Sequence, residues 1–154
     1  MSIFIATGTN LGNKKANLTE AKTLLSAKLD LIAESRIYES PAVDYLNQPD
    51  FYNQVLEFST PQVSPEEIMR WLLELELQMG RNRQIPKGPR LIDLDLIFWE
   101  NLQYESQILT LPHPRATERS FVMLPVRELP GFSKLNKEFQ FDFHFSNEAR
   151  PISN

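Results

Sequence analysis

The sequence predicts an α+β fold, a mainly antiparallel sheet with helices packed on it. Three observations predict it. Alternating or continuously apolar runs occur at positions 3–6, 33–39, 51–60 and 90–100, as strands require. Two intervening segments repeat their apolar residues at helical spacing. The resulting order, β-α-β-β-α-β with strands and helices mixed irregularly, fits a sheet whose helices gather on one face. The 154 residues, 42% hydrophobic and 23% charged, suit one domain with a real core.

The first strand, residues 3–6, is apolar throughout and ends at Gly8. GTNLGNKKANL then turns on Gly8 and Gly12 into a helix whose stripe is Leu18, Ala21, Leu25 and Leu29. Residues 33–39 read as a second strand, 40–50 (SPAVDYLNQPD) as a loop with two prolines, and 51–60 as a third strand. Ser64, Pro65 and Glu67 open the next helix as cap, first-turn proline and capping-box acid. Its stripe is Ile68, Leu72, Leu75 and Met79, and Gly80 terminates it. A loop over 80–90 leads into the strand 90–100, and 103–111 supply a short extra strand. Pro112 and Pro114 hold His113 extended, and 117–128 form a short helix disturbed by Pro125. In the tail, Phe139, Phe141, Phe143 and Phe145 alternate with Gln140, Asp142, His144 and Ser146. That is the pattern of a strand with one aromatic face, which either covers the core or pairs with another chain.

A net charge of −4 argues against a general nucleic-acid binder, and the basic residues of 81–90 are a local cluster. The chain has no cysteine, which excludes disulfides and thiolate metal sites. MSIFIATG lacks a basic leader and is too short an apolar run for a signal peptide. No apolar run approaches membrane-spanning length. These features fit a cytoplasmic protein.

The chemistry concentrates in RLIDLDLIFWE, residues 90–100. Period two puts Ile92, Leu94, Leu96 and Phe98 on one face and Asp93, Asp95, Ile97 and Trp99 on the other. The two aspartates then stand roughly 6.6 Å apart along the strand. One reading is a solvated ion cluster with Arg90. The other is a metal site: in a partly apolar recess the paired anions need a counterion. Magnesium suits them, because it takes one or two carboxylates and fills its remaining positions with water and phosphate. Just upstream, Arg81, Arg83, Lys87 and Arg90 lie in a loop with Gly80, Pro86, Gly88 and Pro89. Such a loop is either solvated and inert or a phosphate clamp, for which the planar guanidinium fork is suited. Glu76, at the border of the second helix's stripe, is solvated, orients an arginine or faces a ligand. Phe51 and Asn53 share a strand face, where Phe51 is core or, with the amide, holds a flat heterocycle by stacking and edge reading. His113 is structural or, with Arg115 and Arg119, contacts an anion. His144 reads as a surface residue.

Taken together these residues resemble the 6-hydroxymethyl-7,8-dihydropterin pyrophosphokinase family. The matching pieces are GTNLGN (8–13), ESPAVDYLNQPDFYNQV (39–55), LELQMGRNR (75–83), GPRLIDLDLIF (88–98) and LPHPRATERSFVMLPV (111–126). They occur in family order, and GPR-x-x-D-x-D followed by PHPR and R-x-F-V is highly specific. The resemblance implies a ferredoxin-like three-layer α+β sandwich and a single domain over 1–154, with the tail 133–154 unassigned. It implies transfer of pyrophosphate from ATP to the hydroxymethyl group of the dihydropterin, with release of AMP. By motif, Asp93 and Asp95 would bind two Mg2+ ions, and Arg81 and Arg90 would act with them on the transferred phosphates. Phe51 and Phe121 would sandwich the pterin, Asn53 would read its edge, and Ser40, Pro41 and Val43 would supply further contacts. Glu76, Arg83, His113 and Arg119 would line the ATP pocket. The chain departs from the family in having Lys87 where a tryptophan often precedes GPR, and Phe51 in a common tyrosine position.

Two other classes compete with the enzyme. A catalytically silent ferredoxin-like module would bind pterin or nucleotide without needing Asp93, Asp95, Arg81 and Arg90 together. An RNA-binding ferredoxin-like domain would need a basic sheet face, which is lacking here. The expected state is a monomer that binds neither nucleic acid nor membrane, with dimerisation through the tail strand as the alternative.

Overall fold

The computed structural model describes residues 1–42, 48–80, 91–145 and 148–152. The first segment forms β1 (Ser2–Thr9), α1 (Lys14–Ser26), β2 (Leu31–Glu34) and β3 (Tyr38–Ser40). β4 (Phe51–Ser59), α2 (Pro65–Gln78) and β5 (Asp93–Trp99) follow. A small hairpin, β6 (Tyr104–Glu105) and β7 (Thr110–Leu111), precedes a 3-10 turn at Ala116–Glu118. α3 (Ser120–Arg127), α4 (Phe132–Phe139) and β8 (Arg150–Pro151) complete the chain.

Local signals account for both long helices. Asn13 caps α1, its Oδ1 accepting from the Ala16 N–H at 3.1 Å, directly after Gly12 makes the turn at φ +65°. Ser64 caps α2 by accepting from the Glu67 N–H at 3.2 Å, with Pro65 in the first turn. Gly80, at φ +88°, follows its end. α1 is shorter than its apolar stripe suggests: Leu29 lies beyond Ser26 yet is buried.

The main sheet runs β5-β1-β4-β3-β8, with β2 also on β4, and the strand pairs are antiparallel. Both faces of the sheet are covered, which corrects the expectation of helices on one face. α1 and α2 bring Leu18, Leu25, Ile68 and Leu72 onto Ile3, Ile5, Leu56 and Leu96. α3 and α4 bring Val122, Met123, Val126 and Leu135 onto Phe4, Val55 and Phe98. A continuous apolar run such as Ile3, Phe4, Ile5 is the signature of burial on two sides, and the result is the three-layer sandwich.

Two further expectations need correction. Residues 33–39 do not form one strand. β2 and β3 sit in succession along the same edge of β4, and Ser35 fills the break. Its Oγ accepts from the Val55 N–H at 3.0 Å, and its carbonyl accepts from Gln54 Nε2 at 2.8 Å. Nor is 103–111 one strand: β6 and β7 pair with each other.

The phenylalanine tail is not a strand either. Phe139 ends α4, Gln140 takes a left-handed conformation at φ +53°, and 140–145 make no ladder. The alternation survives as burial: Phe141, Phe143 and Phe145 pack on the second core, while Gln140, Asp142 and His144 are exposed. Phe141 lies 5.5 Å from Phe98 by ring centroid, and Arg127 caps the Phe143 ring at 4.8 Å. Period two reports an extended backbone with one buried side, which a chain laid across a layer satisfies as well as a strand does.

Candidate active site

β5 lies at one edge of the sheet, beside β1, and positions the aspartates. Gly8 of β1 pairs with Asp93 and Ala6 with Asp95. On the other side of β1, Gly8 pairs with Asn53 and Ala6 with Val55. Directly paired residues share a face, so Asn53, Gly8, Asp93 and Asp95 form one row across three strands. Next to that row β3 pairs Ser40 with Phe51 and Tyr38 with Asn53.

A β-bulge lies on this strand. The register passes from Ile5↔Leu96 to Phe4↔Phe98, leaving Ile97 as an extra residue. Every side chain beyond it changes face relative to a period-two count. Trp99 joins Ile3 in the first core, and Phe98 joins Ile97 and Phe4 in the second. The expected placement of Trp99 beside the aspartates, and of Phe98 opposite them, is therefore corrected. The aspartates' apolar neighbours are Ile97 and Phe98 instead.

A cavity of about 340 Å³ opens over this row. Its lining runs from Ser40, Pro41, Phe51 and Asn53, past Gly8, Asp93 and Asp95, to Glu76 on α2. His113, Arg119 and Phe121 close it from the α3 side. Thus every sequence-predicted site residue within the described part lines one cavity. Val43, Arg81, Arg83 and Arg90 lie outside the described residues, as does Lys87.

The walls are held by specific contacts. Asn53 is buried and donates from Nδ2 to Ser40 Oγ at 2.8 Å, which fixes the amide plane. A Cβ on Gly8 would meet Asn53 Oδ1 at 3.2 Å, so this strand position favours glycine for close approach. Asn10 reaches the loop before Phe51, donating to Gln48 Oε1 at 2.8 Å and the Pro49 carbonyl at 3.0 Å. The Arg119 guanidinium stands 5.6 Å from the Phe121 ring centroid. The His113 N–H donates to the carbonyl of Ile97, the bulge residue, at 2.9 Å. Burial, then the charges of Arg119 and Arg115, hold the His113 imidazole below its ordinary pKa.

Glu76 is not a border residue. It is 3% exposed, and its Oε2 accepts from the backbone N–H of Leu94 at 2.8 Å. β5 is an edge strand, so the Leu94 N–H between the two aspartates needs a partner from outside the sheet. Glu76 supplies it and ties α2 to the strand that carries them.

Sequence reasoning missed Met69, Leu73 and Gln48, which also line the cavity. Met69 and Leu73 recur at i and i+4 beside the core stripe, a spacing that marks a second, shallower apolar row.

Among the described residues no group of three metal-type side chains forms. Magnesium still fits: Asp93 and Asp95 are half-buried on one face, and two carboxylates suffice when water and phosphate complete the shell. Also among the described residues, no helix is long and apolar enough to cross a membrane.

A cavity of this size on a sheet with helices on both faces, lined by apolar and by polar or charged side chains in like measure, defines a small-molecule pocket rather than a docking surface. Residues 4–131 match the 7,8-dihydro-6-hydroxymethylpterin-pyrophosphokinase family, and the chain belongs to that family. It is 37% identical over 131 residues to a folic acid synthesis protein of Pneumocystis carinii, covering 84% of this chain and 18% of that protein. It is 35% identical over 140 residues to the bifunctional protein FolKE of Lactococcus lactis, covering 90% and 38%. A 2-amino-4-hydroxy-6-hydroxymethyldihydropteridine pyrophosphokinase of Bacillus subtilis is 35% identical over 128 residues, with 82% and 76% covered. The chain thus spans well under half the length of the first two relatives.

Proposed function

We propose that this chain transfers the pyrophosphoryl group of ATP to the hydroxymethyl group of 6-hydroxymethyl-7,8-dihydropterin, releasing AMP, as a step of folate synthesis. The observation that carries the reading is the shared cavity, with an aromatic and amide end at Ser40, Phe51, Asn53 and Phe121 and an anionic centre at Asp93 and Asp95. A flat heterocycle fits the first, its faces against Phe51 and Phe121 and its polar edge on the fixed Asn53 amide. Pro41 completes that end, and by motif Val43 would add a backbone contact. Asp93 and Asp95 would hold two magnesium ions, which when bound neutralise the charge of the transferring phosphates. Glu76 holds the aspartate strand in place, and His113 and Arg119 face the nucleotide. His113 meets it as a neutral imidazole able to donate one hydrogen bond. By motif alone, Arg83 would join them at the nucleotide, and Arg81 and Arg90 would act on the transferred phosphates. Attack of an alcohol on phosphorus asks mainly for in-line placement and charge neutralisation, and these residues provide placement.

The protein works as a cytoplasmic monomer with one domain over 1–154. The tail phenylalanines lie on the chain's own second core, which supports the monomer over a tail-paired dimer.

Purified protein with Mg-ATP should form AMP only when the dihydropterin is added. Asp95→Ala should reduce AMP formation by at least about 10²–10³-fold while the circular dichroism spectrum is kept. Binding of both substrates without AMP formation by the parent protein would instead establish the silent binding module.

A further inference from the structure

The end of the chain lies beyond the stretch that matches the family, yet it returns to the pocket. β8 pairs with the outer edge of β3, Tyr38 opposite Pro151 and Glu39 opposite Arg150. The Ile152 N–H donates to the Ile37 carbonyl at 3.0 Å. Just before β8, the buried Ala149 donates its N–H to Ser120 Oγ at 2.8 Å, and Ser120 is itself buried. The segment 148–152 therefore touches two elements, and each leads directly into a wall of the pocket. Ser40 ends β3, pairs with Phe51 and accepts from Asn53. Phe121 follows Ser120 at the start of α3.

β3 is three residues long. With β4 alone beside it, it would be a short edge strand, the kind of element that opens first. With β8 on its other side its backbone is paired across both edges. The Ala149–Ser120 bond ties that same strand to the first turn of α3, which sets the spacing between the wall at Ser40 and Phe51 and the wall at Phe121.

We propose that residues 148–152 are a brace that holds the two walls of the heterocycle end at their working separation, with Ser120 and Ala149 as its positioning residues. This rests on the reading of that end as the pterin site. The brace's hydrogen bonds run to β3 and its entry and to Ser120 at the start of α3, so its loss should loosen the heterocycle more than the nucleotide.

The test compares the full chain with a truncation after Phe145, with Ser120→Ala, and with Ala149→Pro against Ala149→Gly, which keeps the N–H. Steady-state KM for the dihydropterin and for ATP are read beside amide hydrogen exchange without substrates. The Ser120→Ala and Ala149→Pro variants should raise the pterin KM about three- to tenfold, the span of one buried hydrogen bond. Their kcat and ATP KM should stay within about twofold, Ala149→Gly should match the parent, and exchange should quicken at residues 37–40 and 120–122. A pterin KM unchanged in these variants, or both KM values and kcat moving together, overturns the brace. If the truncation fails to fold, the Pro and Gly pair decides alone. If the intact protein forms no AMP, the functional reading has failed, and the exchange data still decide for or against the brace.

Discussion

Replacing Glu76 by alanine tests how the aspartate strand is held. The Glu76 carboxylate is 3% exposed and accepts from the Leu94 N–H at 2.8 Å. A hydrogen bond contributes about 0.5–1.5 kcal/mol, and its loss here also leaves a buried backbone N–H at a sheet edge without that partner, at about 1–3 kcal/mol. Truncation also removes side-chain contacts, so Glu76→Ala should cost about 2–3 kcal/mol. For a chain of this size that lowers Tm by about 4–12 °C. Glu76→Gln keeps an amide oxygen for Leu94 and should cost less than half as much. Urea unfolding followed by circular dichroism, with m unchanged, gives the difference directly. AMP formation should fall further than the folded fraction, because Leu94 separates Asp93 from Asp95. An alanine variant within about 0.5 kcal/mol of the parent, the range of surface substitutions, would refute the reasoning, as would a glutamine variant as damaged as the alanine one.

Phe121→Ala removes a cavity wall and the ring under Arg119. Fluorescence titration should show pterin affinity weakened about tenfold, the scale of one stacking contact. In Gly131→Ala the new methyl would run into the Glu57 carboxylate and come within 2.9 Å of Phe4 Cζ. It would also strain the Gly131 N–H to Glu57 bond, now 3.0 Å, and a loss of about 2–4 kcal/mol should appear in the same urea assay. The folded protein lowers the His113 pKa from 6.5, so the unfolded chain binds its proton first as pH falls. His113 therefore supports stability fully above about pH 6.5, and that support fades below it. Thermal melts of His113→Gln against the parent from pH 7.5 to 5 should show a shallower decline for the variant.

The parts of this site legible in the sequence are those written locally. The cap at Ser64 depends on a neighbour three residues on. The aspartate pair depends only on period two over three residues, so its face was readable. What was not readable depends on distant partners. Glu76 reads as a border residue until the edge position of β5 supplies a donor for it. The break between β2 and β3 is invisible because Ser35 replaces ladder bonds with its own hydroxyl and carbonyl, which leaves the apolar pattern intact. The tail phenylalanines show an extended chain but not what the chain lies on. α4 sets Phe132, Leu135 and Phe139 at i, i+3 and i+7, a helical period over only eight residues that runs at Phe139 into the period-two alternation of the tail.

The bulge at Ile97 shows how a single inserted residue can build a site that periodicity cannot foresee. In an unbroken period-two strand of the same residues, Trp99 would stay on the aspartate face and Phe98 would enter the core with Leu94 and Leu96. With the bulge, Trp99 turns to the α1–α2 side, and Phe98 meets Phe4 edge-on at 5.8 Å and Phe141 at 5.5 Å. The inserted residue is also where the strand takes on a further partner: the Ile97 carbonyl accepts the His113 N–H at 2.9 Å. That bond sets the Pro112–Pro114 segment across the sheet from Asn53, on the far side of the aspartates. Removing the extra residue would restore a regular ladder that keeps Phe98 opposite Phe4 and Trp99 opposite Ile3. A deletion of Ile97 should therefore leave Phe98 and Trp99 in their present cores and cost its one buried side chain together with the carbonyl that holds the His113 N–H.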